Sequence, residues 1–280
     1  MKLLVVGAAG MLGTDLVRAA GEAGHEVVGV DLPEIDITDP VSTGRVVGAA
    51  GADVVVNCAA YTDVDGAEAH EATAGRINAH GAGVLAQAAR DAGARIVHLS
   101  TDYVFDGTKA EPYRESDSTG PRTAYGRTKL AGERAVAAAN PGHAIARTAW
   151  LFGAAGKNFV DAMLRLGTER GAVSVVYDQV GCPTWTGHLA GALLRVAEDG
   201  VTGVIHLAGG GRCSWSEFAV EIFAQAGVDV EVTPVTTAEF PRPAPRPAFS
   251  VLGTERRDPI VLPSWQEGLA GYLRERAAVS

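Results

Sequence analysis

The stretch GAAGMLG, Gly7 to Gly13, follows directly on the apolar run KLLVV and opens a segment of helical character beginning at Met11. A strand that must turn sharply into a helix on glycines at such spacing has few folding solutions. Glycine accepts the tight turn and lets the backbone approach a pyrophosphate, while the helix start offers unpaired N–H groups and a positive dipole end. The spacing of Gly7, Gly10 and Gly13 therefore predicts a dinucleotide-binding loop; the alternative is that the glycines serve only close packing of helix on strand. Asp31 ends the next apolar run, EVVGVD, where a carboxylate can accept a hydrogen bond from an adenosine ribose and so favour NADH over NADPH. The same residue reads equally well as the start of a turn through LPEIDITD, which leaves both cofactors in play.

Strand and helix signals alternate through the first half of the chain. KLLVVG, EVVGVD, ADVVVNCAA, ARIVHLS and HAIARTAW read as strands, with helices from Met11 to about Ala23, from about Val41, and within the alanine-rich stretch from Gly66 to Gly93. The strands run nearly continuously apolar, the mark of strands buried on both faces, so the fold class is α/β with a Rossmann-type doubly wound parallel sheet. After Trp150 the regularity weakens: short strands at AVSVVY and GVIHLAG, helices near Thr186 to Ala197 and Ser214 to Ala226, the run PRPAPRP as an ordered loop, and a last helix near Trp265 to Arg276. Residues 1–150 are expected to form the NAD(P)-binding domain, joined by a returning strand near 203–208, and residues 151–280 mainly a smaller substrate-binding lobe.

Composition narrows the function classes. The chain's 280 residues can bury a substantial core, and 47% hydrophobic with 20% charged residues describes an ordinary globular protein. A net charge of −9 argues against a nucleic-acid surface. Cys58, Cys182 and Cys213 lack the spacing of a disulfide framework or zinc site, which fits a reducing cytoplasm. The opening MKLLVVGAAGML breaks into glycines too soon for a secretory signal, and no apolar run approaches the ~20 residues of a membrane helix. His80, His98 and His206 fall on different elements without ligand spacing, so no metal site is expected.

In TAYGRTKLAGE, Tyr125 and Lys129 stand four residues apart and share one face of a helix. Upstream, Ser100 and Thr101 in LSTDYVFDG close the fourth strand, at the sheet edge where open α/β proteins bind ligands. Carbonyl reduction needs an acid that protonates the oxygen as charge grows on it. Tyr125 suits that task if the Lys129 cation and an oxidised nicotinamide ring lower its pKa, with Thr101 holding the same oxygen through its hydroxyl.

With GAAGMLG, EIDITDP, NCAAYTDVDGAE, INAHG, STDYVFDG, YGRTKLAGE, RTAWLFG, DQVGCPT and RPAFSVL in this order, the chain resembles the dTDP-4-dehydrorhamnose reductase family of extended short-chain dehydrogenase/reductases. STDYVFDG, YGRTKLAGE and DQVGCPT are the specific carriers. The resemblance implies Tyr125 as proton donor, Lys129 on the nicotinamide ribose, and Thr101 as assisting hydroxyl. It implies Gly10, Met11 and Leu12 at the pyrophosphate, Asp36 and Ile37 at the adenine, Ala59, Ala60 and Tyr61 along the cofactor, and Asn78 in support. Asp102, Tyr103 and Trp150 match sugar-side positions, and Asn158 and Arg246 match positions toward the nucleotide diphosphate. Met11 replaces a glutamine usual in the family, and Gly66 a longer side chain. The implied activity is reduction of a dTDP-linked 4-keto-6-deoxy sugar by NADPH or NADH, with a homodimer as the family's expectation. The rival expectations are another nucleotide-linked deoxysugar ketone, such as a streptose precursor, and a non-catalytic nucleotide-binding regulatory subunit.

Overall fold

The computed structural model describes residues 1–279. The chain begins β1 (Lys2–Val6), α1 (Met11–Glu22), β2 (Glu26–Val30), α2 (Pro40–Ala50), β3 (Val54–Asn57) and α3 (Val64–Ala69). A long helical stretch follows as α4 (Glu71–Gly75), a π-helical turn (Arg76–Gly81) and α5 (Ala82–Asp91), and then β4 (Arg95–Thr101), α6 (Ala124–Ala139) and β5 (His143–Thr148). The second half runs β6 (Leu151–Phe152), α7 (Phe159–Arg170), β7 (Ala172–Val176), β8 (Val180–Gly181), β9 (Thr184–Trp185) and α8 (Thr186–Glu198). It ends with β10 (Gly203–His206), β11 (Cys213–Ser214), α9 (Trp215–Ala226), β12 (Glu231–Val235) and α10 (Trp265–Val279).

Six strands form one sheet in the order β10-β5-β4-β3-β1-β2, parallel at every pairing. Successive side chains of a strand point to opposite faces, and both faces are covered. Leu3, Val5, Val54, Val56 and Val97 pack on Leu12 and Leu16 of α1 and Leu189 and Leu193 of α8. Leu4, Val6, Val55 and Ile96 pack on Val47 of α2, Leu85 of α5 and Val136 of α6. The unbroken apolar character of LLVV and VVV is thus the requirement of a strand with helices on both sides.

The chain beyond residue 150 divides between two layers. α8 and β10 belong to the main sheet layer, β10 pairing with β5 from Gly203 opposite Ala144 to His206 opposite Arg147. α7, α9 and α10 enclose a separate cluster of Phe152, Val160, Phe218, Ile222, Phe223, Leu269 and Tyr272, flanked by the parallel pair β7 and β12. Helix α7 and strand β12 were not expected from the sequence. The PRPAPRP loop is ordered and tied to α3: Arg242 and Arg246 both bind the Asp65 carboxylate, at 2.6 and 2.9 Å. Burial raises the pKa of Asp65, but hydrogen bonds from Arg246, the Ala244 amide and Arg242 outweigh it and hold the group at about 2. No helix of the described residues is long and apolar enough to cross a membrane.

Candidate active site

The carboxyl ends of β1, β3 and β4 open into a cavity of about 810 Å³. Its first wall is the glycine loop. Gly7 has φ +83°, and a Cβ there would lie 2.7 Å from the Ala59 amide nitrogen, so no larger residue fits between β1 and the chain after β3. Gly10 occupies the N-cap of α1 without a side-chain cap, which leaves the first N–H groups of that helix for a ligand. Gly7, Gly10, Met11 and Leu12 all line the cavity. Gly13 does not: a Cβ there would sit 2.1 Å from the Gly7 carbonyl oxygen, so its place is in the packing of α1 on the loop rather than against a ligand.

Asp31, Asp36 and Ile37, expected at the adenosine, all lie on the cavity wall. Asp31 fills the turn role, one carboxylate oxygen accepting from the Ala9 amide at 3.0 Å and the other from the Leu32 amide at 2.8 Å, and the group also lines the cavity. Asp36 accepts from the Thr38 amide and hydroxyl, which holds its carboxyl below the usual range. Ala59 and Ala60 line the middle of the cavity, whereas Tyr61 and Asn78 lie behind it. The buried Asn78, on the π-helical turn, accepts from the Tyr61 amide at 2.8 Å and donates to the Tyr61 carbonyl and the Thr128 hydroxyl at 3.1 Å each. Asn78 thereby pins the loop after β3 to the helix that carries Tyr125.

That helix, α6, is started by Thr123, whose hydroxyl accepts from the Gly126 amide at 3.0 Å. Gly126 brings the helix start against the chain after β4, since a Cβ there would fall 2.2 Å from the Tyr103 carbonyl oxygen. Tyr125 and Lys129 both face the cavity together with Leu99, Ser100, Thr101, Asp102 and Tyr103. Burial, with the Asp102 carboxylate adding to it, pushes the Tyr125 phenol up to about 12, while the neighbouring Thr101 hydroxyl draws it down. Lys129 is buried, donates to the Leu99 carbonyl at 2.6 Å, and is pulled down to about 8 by burial against the opposing influence of Glu133 and Cys58. Here the Lys129 ammonium is directed to a backbone carbonyl and the phenol has lost its water, so burial sets the direction of the Tyr125 shift.

The Thr101 hydroxyl donates to Asp102 Oδ1 at 2.9 Å and accepts from the Tyr103 amide at 3.2 Å. Burial raises Asp102 to about 6.

Trp150 adopts φ +49°, unusual for a bulky residue, and stacks on Trp215 with ring centroids 3.6 Å apart and planes within 5°. Both rings line the cavity, as does Lys157. Trp215 and Lys157 had no motif to announce them, because their approach depends on how the second lobe folds back. Asn158 and Arg246 lie elsewhere. Asn158 caps α7 through the Asp161 amide at 3.0 Å and spends its NH₂ on the Gly153 carbonyl, Asp161 and Tyr272, facing a groove between α7, α9 and α10. Arg246 lines a second cavity of about 300 Å³ that meets the first only at Tyr103. His98 is buried on β4 against Asn57, His206 bonds the Gly253 carbonyl from β10, and His80 borders a groove on the opposite side of α5. Among the described residues no group of three His, Cys, Asp or Glu is placed to hold a metal ion.

The uncapped helix, the loop that admits no Cβ and the carboxylate at the end of β2 fit a dinucleotide. Over residues 1–278 the chain matches the family model described as the RmlD substrate binding domain. It is 46% identical to the dTDP-4-dehydrorhamnose reductase of Mycobacterium tuberculosis over 262 residues, which cover 91% of this chain and 86% of the relative. It is 45% identical over 259 residues to the probable dTDP-4,6-dihydroxy-2-methyloxan-3-one 4-ketoreductase of Streptomyces antibioticus, covering 91% and 88% of the two. The crystal structure of dTDP-4-dehydrorhamnose reductase from Bacillus anthracis in complex with NADP superposes with a TM-score of 0.95 at 38% identity, covering 98% of this chain and 99% of the other. The family-model match and the near full-length similarities together establish that the chain belongs to the dTDP-4-dehydrorhamnose reductase family.

Proposed function

We propose that the protein reduces the C4 ketone of dTDP-6-deoxy-L-lyxo-4-hexulose to give dTDP-L-rhamnose, with Tyr125 as the proton donor. The observation that carries this reading is the meeting of Tyr125, Lys129 and Thr101 in one cavity with the uncapped start of α1. A donor must hold its proton at the working pH, and a phenol pushed up to about 12 is fully protonated near neutrality. When bound, a reduced nicotinamide supplies the hydride that the ketone carbon accepts. Gly7, Gly10, Met11 and Leu12 are the residues to hold its pyrophosphate, and Asp31, Asp36 and Ile37 its adenosine. Lys129 holds the nicotinamide ribose and stabilises the tyrosinate left after proton transfer. The stacked Trp150 and Trp215 offer an apolar wall for one face of a deoxysugar ring, in the cavity that Asp102 and Tyr103 also line. Residues 151–280 supply substrate contacts mainly through Trp215 and Lys157.

Oxidation of NADH or NADPH dependent on the keto sugar, with dTDP-L-rhamnose identified as product, tests the reading. Tyr125→Phe should lower kcat by about 10²–10⁴-fold; turnover near the wild-type level would remove Tyr125 as the acid. A second reading, a ketoreductase for a related nucleotide-linked deoxysugar, is favoured by the 45% identity to the Streptomyces antibioticus 4-ketoreductase. Mass spectrometry of products from a panel of dTDP-4-keto sugars separates the two.

A further inference from the structure

Asp102 is buried at 2% exposure and, among the described residues, forms no ion pair and leaves Oδ2 without a hydrogen-bond partner. A buried carboxylate with an orphaned oxygen is costly when ionised. The hydrogen-bond inventory around Thr101 shows what the neutral form accomplishes. A threonine hydroxyl has one proton and two lone pairs. In the structure the proton is directed to Asp102 Oδ1, with the Tyr125 phenol oxygen as the alternative acceptor, and one lone pair takes the Tyr103 amide. With Asp102 ionised, Thr101 therefore has no proton for a carbonyl oxygen, and two acceptors would face each other. With Asp102 protonated on Oδ1, the carboxyl donates to Thr101, and the hydroxyl proton is released to turn into the cavity.

We propose that Asp102 is a positioning residue whose protonation sets the direction of the Thr101 hydroxyl, and that only the neutral carboxyl lets Thr101 donate to the substrate carbonyl beside Tyr125. The proposal rests on the reductase reading above and deepens it. No net proton leaves Asp102 in the step: its proton is shared with Thr101 Oγ1, Thr101 shares its own with the ketone oxygen, and the proton transferred to that oxygen comes from Tyr125.

The surroundings make Asp102 the group that changes charge. Facing it are Tyr103 on its own turn, Tyr125 on α6 and Cys182 after β8, with Arg246 and Asp65 beyond Tyr103. Burial pushes Tyr125 and Cys182 up to about 12 and Tyr103 higher still, and Asp65 is held at about 2, so these groups keep their charge between pH 5 and 8. Lys129, directed to the Leu99 carbonyl, changes charge at about 8. The Ser250 hydroxyl also acts on the carboxyl but does not titrate.

The test is the pH profile of kcat/KM for dTDP-6-deoxy-L-lyxo-4-hexulose with saturating NADPH. Wild type should lose activity by about tenfold or more from pH 5.5 to pH 7.5, in a transition assigned to Asp102 that lies below the alkaline fall set by Lys129. In Asp102→Asn that transition should vanish, because the amide NH₂ donates to Thr101 at every pH. Thr101→Val should lose the same transition at a lower rate although Asp102 is present, since Asp102 acts through that hydroxyl. Persistence of the transition in either folded variant, or its absence from wild type, overturns the proposal. If wild type does not turn over this sugar at all, the substrate reading fails separately. The infrared C=O stretch of a protonated carboxyl, missing in Asp102→Asn, then reports the residue without turnover, and a loss of that band below pH 5 overturns the proposal.

Discussion

Glu133 and Arg147 form a buried ion pair beneath Lys129, each 4% exposed. Arg147 grips the carboxylate in two-pronged fashion, Nε to Oε1 at 2.9 Å and Nη2 to Oε2 at 2.7 Å, and the Ser100 hydroxyl donates to Oε1 at 2.6 Å. Glu133→Gln removes one charge and strands the guanidinium away from water. Breaking a buried pair in this way costs about 3–5 kcal/mol, a large share of the roughly 5–15 kcal/mol that holds a domain folded. Urea denaturation of Glu133→Gln, Arg147→Met and the double variant measures it. Each single variant should lose about 3 kcal/mol or more, and the double variant should lose less than the two combined, because no charge is left stranded. A loss below about 1 kcal/mol in the single variants, or strict additivity in the double, would refute the reasoning. The same substitution reaches the active site. Glu133 is the charge that most opposes the effect of burial on Lys129, which stands at about 8. Lysine carries its charge below its pKa, so Glu133→Gln lowers that pKa and moves the alkaline fall in turnover to lower pH.

Two further substitutions probe the walls of the cavity. Gly13→Ala places a methyl 2.1 Å from the Gly7 carbonyl oxygen, so α1 must retreat from the glycine loop; the expected result is a loss of about 1–3 kcal/mol in stability and weaker NADPH binding by fluorescence titration, and unchanged binding would show that the loop tolerates the shift. Trp215→Ala removes the ring on which Trp150 stacks, 3.6 Å away. Aromatic stacking contributes about 0.5–1.5 kcal/mol beyond burial, so KM for the keto sugar should rise several-fold while NADPH binding is preserved.

Much of the main layer is legible in the sequence because its signals are local. A strand buried on both faces must be apolar at consecutive positions, as LLVV and VVV are, and a turn that admits no Cβ must be glycine, as at Gly7. Tyr125 and Lys129 face the same cavity because helical spacing places i and i+4 on one side. GVIHLAG could be expected to return to the sheet, and β10 pairs with β5.

What the tertiary structure decided concerns partners distant along the chain. Arg246 could bind an anion anywhere, but the fold brings Asp65 to it, and Asn158 turns from ligand candidate to helix cap once Asp161 and Tyr272 surround it. Trp215 becomes a cavity wall only because the second lobe lays it on Trp150, and α8 joins the main sheet layer through its contact with α1. Thr101 is a hydroxyl in the sequence; that its partners are Asp102 Oδ1 and the Tyr103 amide is decided by the fold. Periodicity and turn chemistry encode which face of an element is buried, whereas hydrogen-bond direction and charge state depend on desolvation by residues that only folding brings near.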